Sequence, residues 1–206
     1  MNPLIRLKNV SPLFLVSFVF ACFGLSPAAR AICQEGCASA NTFLGDDALI
    51  NNTSGLYNTA TGANALYSNT SGANTANGVS ALYNNNADYN TATGASALYN
   101  NTTGNNNTAN GCEALFGDPN GNNSTGSNNT TNGYRALYSN TTGSQNTASG
   151  ASTLYTNTTG GSNTADGYCA LGNNTTGSNN TAEGTGALFS NTTGIFSTAN
   201  GSFALF

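Results

Sequence analysis

The sequence has no histidine and no tryptophan, and only 6% of its 206 residues are charged. An ordinary soluble domain is about a quarter charged, so the chain is not composed like an average globular enzyme. Histidine is the commonest general base and metal ligand. Its absence excludes a histidine-based catalytic triad and a histidine-bearing zinc site. The basic residues are Arg6, Lys8, Arg30 and Arg135. Four are too few to track a phosphate backbone, which makes nucleic acid a poor partner. The acids are equally sparse and recur at no fixed spacing. Calcium sites and hydrolytic carboxylate pairs both need converging oxygens. The composition therefore predicts a non-catalytic protein without metal or cofactor. What fills the chain instead is 36 Asn, 29 Thr and 25 Gly, together 90 of 206 residues.

The N-terminus reads as an export signal. Arg6 and Lys8 give a positive start, Leu13 to Leu25 is apolar, and Ala29-Arg30-Ala31 supplies small residues before a cleavage point. The apolar run is short for a membrane span. Residues 1–31 are therefore assigned as a secretory signal peptide, with cleavage after Ala31. The mature chain then carries one base, Arg135, and all eight acids, for a net charge of 1 − 8 = −7. It has no membrane span, and its location is secreted, extracellular or cell-surface.

From Asn41 onward the chain is one repeat, N-T-A-x-G-x-x-A-L-(Y/F)-x-N-T-T-G-x-x. It begins at Asn41, Asn58, Asn74, Asn90, Asn107, Asn129, Asn146, Asn163, Asn180 and Ser197. Most steps are 16 or 17 residues; the one from Asn107 to Asn129 is 22, with turn-forming Gly117-Asp118-Pro119-Asn120-Gly121 inserted. Seventeen residues are too few for a helical pair, and recurrent Gly and Asn break helices. Short extended segments between glycine turns predict an all-β fold: a parallel β-solenoid or β-roll of about ten coils. The domain layout is signal peptide 1–31, an N-terminal cap 32–40 and the repeat domain 41–206.

Alternation along a strand assigns directions. In N-T-A-x, Asn and Ala point inward, where the Asn side chains can stack as an amide ladder. Thr at the second position points outward: Thr42, Thr59, Thr75, Thr91, Thr108, Thr130, Thr147, Thr164, Thr181 and Thr198. The following glycine is expected at positive φ, and Asp88 stands where one unit should carry its second glycine. In the second segment, Leu recurs in every unit: Leu49, Leu66, Leu82, Leu98, Leu115, Leu137, Leu154, Leu171, Leu188 and Leu205. Tyr or Phe follows in eight units. Read as a strand, one ladder fills the coil and the other lines an outer apolar stripe. A stripe of that length predicts self-association. The alternative is a kinked segment that turns both residues inward.

The repeated N-T-A-x-G-x-x-A-L resembles the YadA-like head repeats of trimeric autotransporter adhesins, with their S-x-A-x-G spacing. It is also similar to repeat arrays of phage tail-fibre-like proteins. The resemblance covers Asn41 to Phe206. It implies a β-roll, three chains side by side, and adhesion at a cell surface. The family's repeat is shorter than the one here, and its coiled-coil stalk and anchor barrel have no counterpart after these repeats.

Cys33 and Cys37 sit together before the first coil, where a local disulfide could help cap it. Cys112 and Cys169 are three coils apart, at least about 14 Å by strand spacing, and no bond is expected between them. Three functions compete. The first is an adhesin-like surface module, a homo-oligomer with a trimer favoured. It binds a host or environmental surface, glycans included, through its neutral Asn/Thr face. The second is a secreted fibre subunit stacking end to end. The third is ice binding through the threonine ladder.

Overall fold

The computed structural model describes residues 40–118 and 124–206. The export segment 1–31 lies outside them, as do Cys33 and Cys37 of the cap. The described residues contain no helix. Ten three-residue strands build one parallel sheet. They are β1 (Thr42–Leu44), β2 (Thr59–Thr61), β4 (Thr75–Asn77), β6 (Thr91–Thr93) and β7 (Thr108–Asn110), then β8 (Thr130–Asn132), β9 (Thr147–Ser149), β10 (Thr164–Asp166), β11 (Thr181–Glu183) and β12 (Thr198–Asn200). Two shorter strands, β3 (Ser68–Asn69) and β5 (Asn84–Asn85), pair separately. Each coil contributes one rung, and each rung pairs with those before and after it, so the fold is a parallel β-solenoid. The 22-residue unit keeps the register, with Thr108 opposite Thr130. The extra residues therefore leave the sheet undisturbed.

Each three-residue strand alternates as its sequence requires. Thr faces out, the next residue is buried from β2 onward and half-buried as Phe43 in β1, and the fourth repeat residue faces out again. The buried position is Ala in most rungs because the coil interior is thin. Where Thr131 replaces Ala, its hydroxyl donates to the Thr108 carbonyl at 3.3 Å, so the polar atom is not left unpaired. The strand ends at a glycine with φ between 121° and 145°. From Gly45 to Gly184, an added Cβ would lie 2.4–2.8 Å from the carbonyl oxygen of the equivalent glycine one coil on. Both the dihedral and the contact demand glycine.

The second segment is not a strand. All ten leucines adopt left-handed backbone, with φ from 48° to 55°, and so does the residue two before each of them. That conformation costs roughly 1–2 kcal/mol per non-glycine residue. Burying a leucine side chain returns about 1.5–3 kcal/mol. The left-handed turn breaks the alternation, so the adjacent Ala and Leu both enter the core. Leu66, Leu82, Leu98, Leu115, Leu137, Leu154, Leu171 and Leu188 are all buried, and with the alanines they form the core cluster. The leucine file therefore fills the coil, while the Tyr or Phe that follows stays half-buried at its edge from Tyr67 to Phe189, so the two residues are not both turned inward and the outer stripe is the aromatic file. The turn backbone still pairs between coils: from Leu49 to Leu188, each Leu N–H donates to the residue before the next coil's Leu, at 2.8–3.0 Å.

Two asparagine ladders tie the coils together. In the first, the Oδ1 of each repeat-opening Asn accepts the backbone N–H of its successor. This runs from Asn41–Asn58 at 2.7 Å to Asn180–Ser197 at 2.9 Å without a missing step. The Nδ2 groups of Asn129, Asn146 and Asn163 donate to glycine carbonyls in the N-T-T-G turn of their own coils. The second ladder links Asn52, Asn69, Asn85 and Asn101, and then Asn140, Asn157, Asn174 and Asn191, by amide-to-amide bonds of 2.8–3.0 Å. Asn74 Nδ2 is buried without a partner, although Asn58 Nδ2 in the equally short preceding coil donates to the Ser71 carbonyl at 2.9 Å.

Asn146 joins three coils through both ends of its amide. Asn146→Ala strands the buried Asn163 N–H, at about 1–3 kcal/mol for the unsatisfied group, while the Gly160 carbonyl keeps Asn157 Nδ2 as a donor. Thr147→Ala, one residue on but outward, should change stability by no more than about 0.5 kcal/mol. Urea unfolding of the two variants measures this contrast; equal losses would contradict it.

Candidate functional site

The parallel register places the ten threonines of the second repeat position in one file. Thr42, Thr59, Thr75, Thr91, Thr108, Thr130, Thr147, Thr164, Thr181 and Thr198 are successive partners across the sheet. Nine are exposed and Thr181 is half-exposed. Among the described residues, none of these ten hydroxyls is engaged in a hydrogen bond. Parallel strands repeat at about 4.8 Å, so the file is a straight row of methyl and free hydroxyl groups at that interval. The accompanying outward file is mixed: Leu44, Thr61, Asn77, Thr93, Asn110, Asn132, Ser149, Asp166, Glu183 and Asn200.

Threonine has two other uses in the N-T-T-G corner. The first Thr is structural: the hydroxyls of Thr141, Thr158 and Thr175 donate to the carbonyl one coil further on, at 2.9–3.0 Å. The second Thr points outward. Thr103, Thr125, Thr142, Thr159, Thr176 and Thr193 form another exposed file. The doubled Thr of N-T-T-G is the sequence signal of this second file. The same corner corrects the place of Asp88. It does not take a glycine's role; the left-handed residue there is Tyr89, with φ of 60°. Asp88 Oδ1 instead accepts the Gly72 N–H at 2.7 Å. The corner glycines are required by contact rather than by dihedral: a Cβ on Gly160 would lie 2.3 Å from the Gly177 carbonyl.

The aromatic file is half-buried and stacked. Tyr67, Tyr83, Tyr99, Phe116, Tyr138 and Tyr155 follow one another with ring centroids 4.8–5.2 Å apart. Gly172 interrupts the file; an added Cβ there would meet the Phe189 ring at 2.9 Å. Stacking resumes at Phe189–Phe206, 5.3 Å apart. Arg135, the only base among the described residues, pairs with Glu113 at 2.5 Å and lies over the Tyr134 and Tyr138 rings. Cys112 and Cys169 are free thiols. Among the described residues no three Cys, Asp or Glu gather as metal ligands, and no helix is long and apolar enough to cross a membrane.

No protein family, curated protein or solved structure was found to match the chain.

Stacking also sets a pH limit. Burial raises the Tyr83 and Tyr138 phenols above the ordinary value, and neighbouring tyrosines add to the shift. The folded chain then holds these protons at pH values where the unfolded chain, with phenols near 10, has lost them. This contribution is complete below about pH 10 and declines above it. Urea midpoints should be flat from pH 8 to 9.5 and fall from pH 10 upward, and the fall should shrink in Tyr83→Phe/Tyr138→Phe. An unchanged alkaline slope in the double variant would contradict this.

Proposed function

We propose that the chain is a secreted or cell-surface structural module that adheres to surfaces through its repetitive, neutral Asn/Thr face and carries out no catalysis. The observation that carries this reading is the ten-rung file of exposed threonines with unused hydroxyls. The same weak contact offered ten times in register gains by multivalency what each one lacks. The near absence of positive charge favours neutral partners, glycans among them, over anionic membranes or polyanions. Export through residues 1–31 and the resemblance to trimeric adhesin heads support the same setting. A trimer would place its interface over the half-buried aromatic file, since the leucines from Leu49 to Leu188 are enclosed within one chain.

Thr130→Arg/Thr147→Arg/Thr164→Arg should leave the unfolding midpoint nearly unchanged and abolish adsorption of the labelled protein to cells and immobilised neutral polysaccharide. Undiminished adsorption would contradict the reading. Light scattering after size exclusion should return three times the chain mass; a single-chain mass would remove the trimer.

One observation favours a second reading. Free Thr hydroxyls and methyls at a constant interval can order water, and Thr59–Thr61 and Thr91–Thr93 each carry the T-x-T pattern of a two-file ice-binding face. The remaining fourth positions are mixed, and Asp166 and Glu183 are charged. Thermal hysteresis and ice shaping at high protein concentration would support ice binding; their absence discards it.

A further inference from the structure

Two outward columns share one pattern. At the residue preceding the ladder asparagine, three consecutive coils carry Tyr57, Ala73 and Tyr89. Just after the strand-ending glycine, three others carry Tyr134, Ala151 and Tyr168. In the first column, Ala73 N–H donates to Leu56 O at 2.8 Å and Tyr89 N–H to Gly72 O at 3.3 Å. In the second, Ser152 N–H donates to Tyr134 O at 2.9 Å and Cys169 N–H to Ala151 O at 3.0 Å. Each tyrosine pair is therefore two hydrogen-bonded rungs apart, about 9.6 Å, with an alanine between. Tyr57 is 69% exposed and Tyr89 66%. Neither belongs to the stacked aromatic file.

The first pair borders a shallow, solvent-open groove of about 430 Å³, lined also by Leu56, Thr70, Ala73 and Asp88. A ring stacked between two tyrosines needs roughly 3.5–4 Å on each side, about 7–8 Å in all. Rings set face to face at the two-rung spacing would leave about 2 Å more than a flat ring needs, which suits a puckered saturated ring with axial hydrogens better. The tyrosine faces are electron-rich and attract C–H groups. The bond from Gly72 N–H to Asp88 Oδ1 fixes the carboxylate at the groove, where its other oxygen can accept from a hydroxyl. A ligand clasped by two apolar faces and an acceptor must be apolar above and below and rich in hydroxyl donors at its rim.

We propose that the Tyr57–Tyr89 groove binds a neutral pyranose of glucose configuration, with both sugar faces stacked on tyrosine and the equatorial hydroxyls bonded to Asp88. All-equatorial substitution leaves only C–H groups on both faces. An axial hydroxyl, as in mannose or galactose, drives an oxygen into one of the rings. The inference rests on the surface-binding reading and adds to it a ligand class and a discrete site, away from the threonine file.

The test is calorimetric titration of the full chain with cellotetraose, with β-1,4-mannotetraose as the comparison. Cellotetraose should bind, and mannotetraose at least tenfold more weakly. Tyr57→Ala and Tyr89→Ala should each lower the cellotetraose affinity at least tenfold. Ala73→Leu, which fills the space between the rings, should abolish it. The two tyrosines are exposed, so their variants should unfold at the wild-type midpoint, which shows that lost binding is not lost fold. No binding of cellotetraose at millimolar concentration, equal binding of both sugars, or undiminished binding by both tyrosine variants would overturn the proposal. If cellotetraose fails while the triple arginine variant still loses adsorption, this inference alone falls. If cellotetraose binds through Tyr57 and Tyr89 while adsorption ignores the threonines, the groove stands and the threonine reading falls.

Discussion

Everything in this solenoid depends on amides that water cannot reach. A coil of 16 or 17 residues with three-residue strands leaves most of its backbone outside the sheet. Each buried N–H and C=O must find a partner elsewhere, or each costs about 1–3 kcal/mol. The asparagine side chain answers this at every coil, because it offers an acceptor and two donors on one short arm. Oδ1 reaches the backbone of the neighbouring coil, while Nδ2 closes the turn of its own. Asparagine is thus a structural residue here, and its abundance does not signify disorder.

The second constraint is thickness. A thin coil cannot take large side chains from both segments, so Ala faces Leu across the core. Left-handed backbone at leucine lets two neighbouring residues enter that core together and places the following aromatic at its edge. Successive coils superimpose the aromatics as closely as their strands, so stacking at about 5 Å follows from coil spacing rather than from any search for ring geometry. Enclosing the leucines moves functional attention outward, to threonines and to the few tyrosines that stand apart from the stack.

The repeat length, the Gly-bounded N-T-A-x segment and the direction of its side chains were legible because period-two alternation governs that strand. The inward Asn, the outward Thr and the strand-ending glycine of positive φ could all be read from N-T-A-x-G. The A-L-Y segment could not be read the same way. Left-handed leucine is rare, and nothing in the residue type announces it; only stacking against identical neighbours compensates its cost. The Tyr57–Tyr89 groove was hidden for a different reason. Its tyrosines share one repeat position, the residue before the repeat-opening Asn, but that position varies from unit to unit, and only the structure shows that it faces outward beside Asp88.

The central claim is that the repeat-opening asparagines form a continuous, water-excluding ladder. Native-state hydrogen exchange tests it most directly. The backbone amides of Asn74, Asn90, Asn107, Asn129, Asn146, Asn163 and Asn180 each donate to the preceding Asn side chain, and each of these residues is fully or almost fully buried. They should be among the slowest-exchanging amides in the chain, with protection highest in the middle coils and decreasing toward the terminal ones. Exchange at these amides as fast as at the exposed corner threonines would contradict the account.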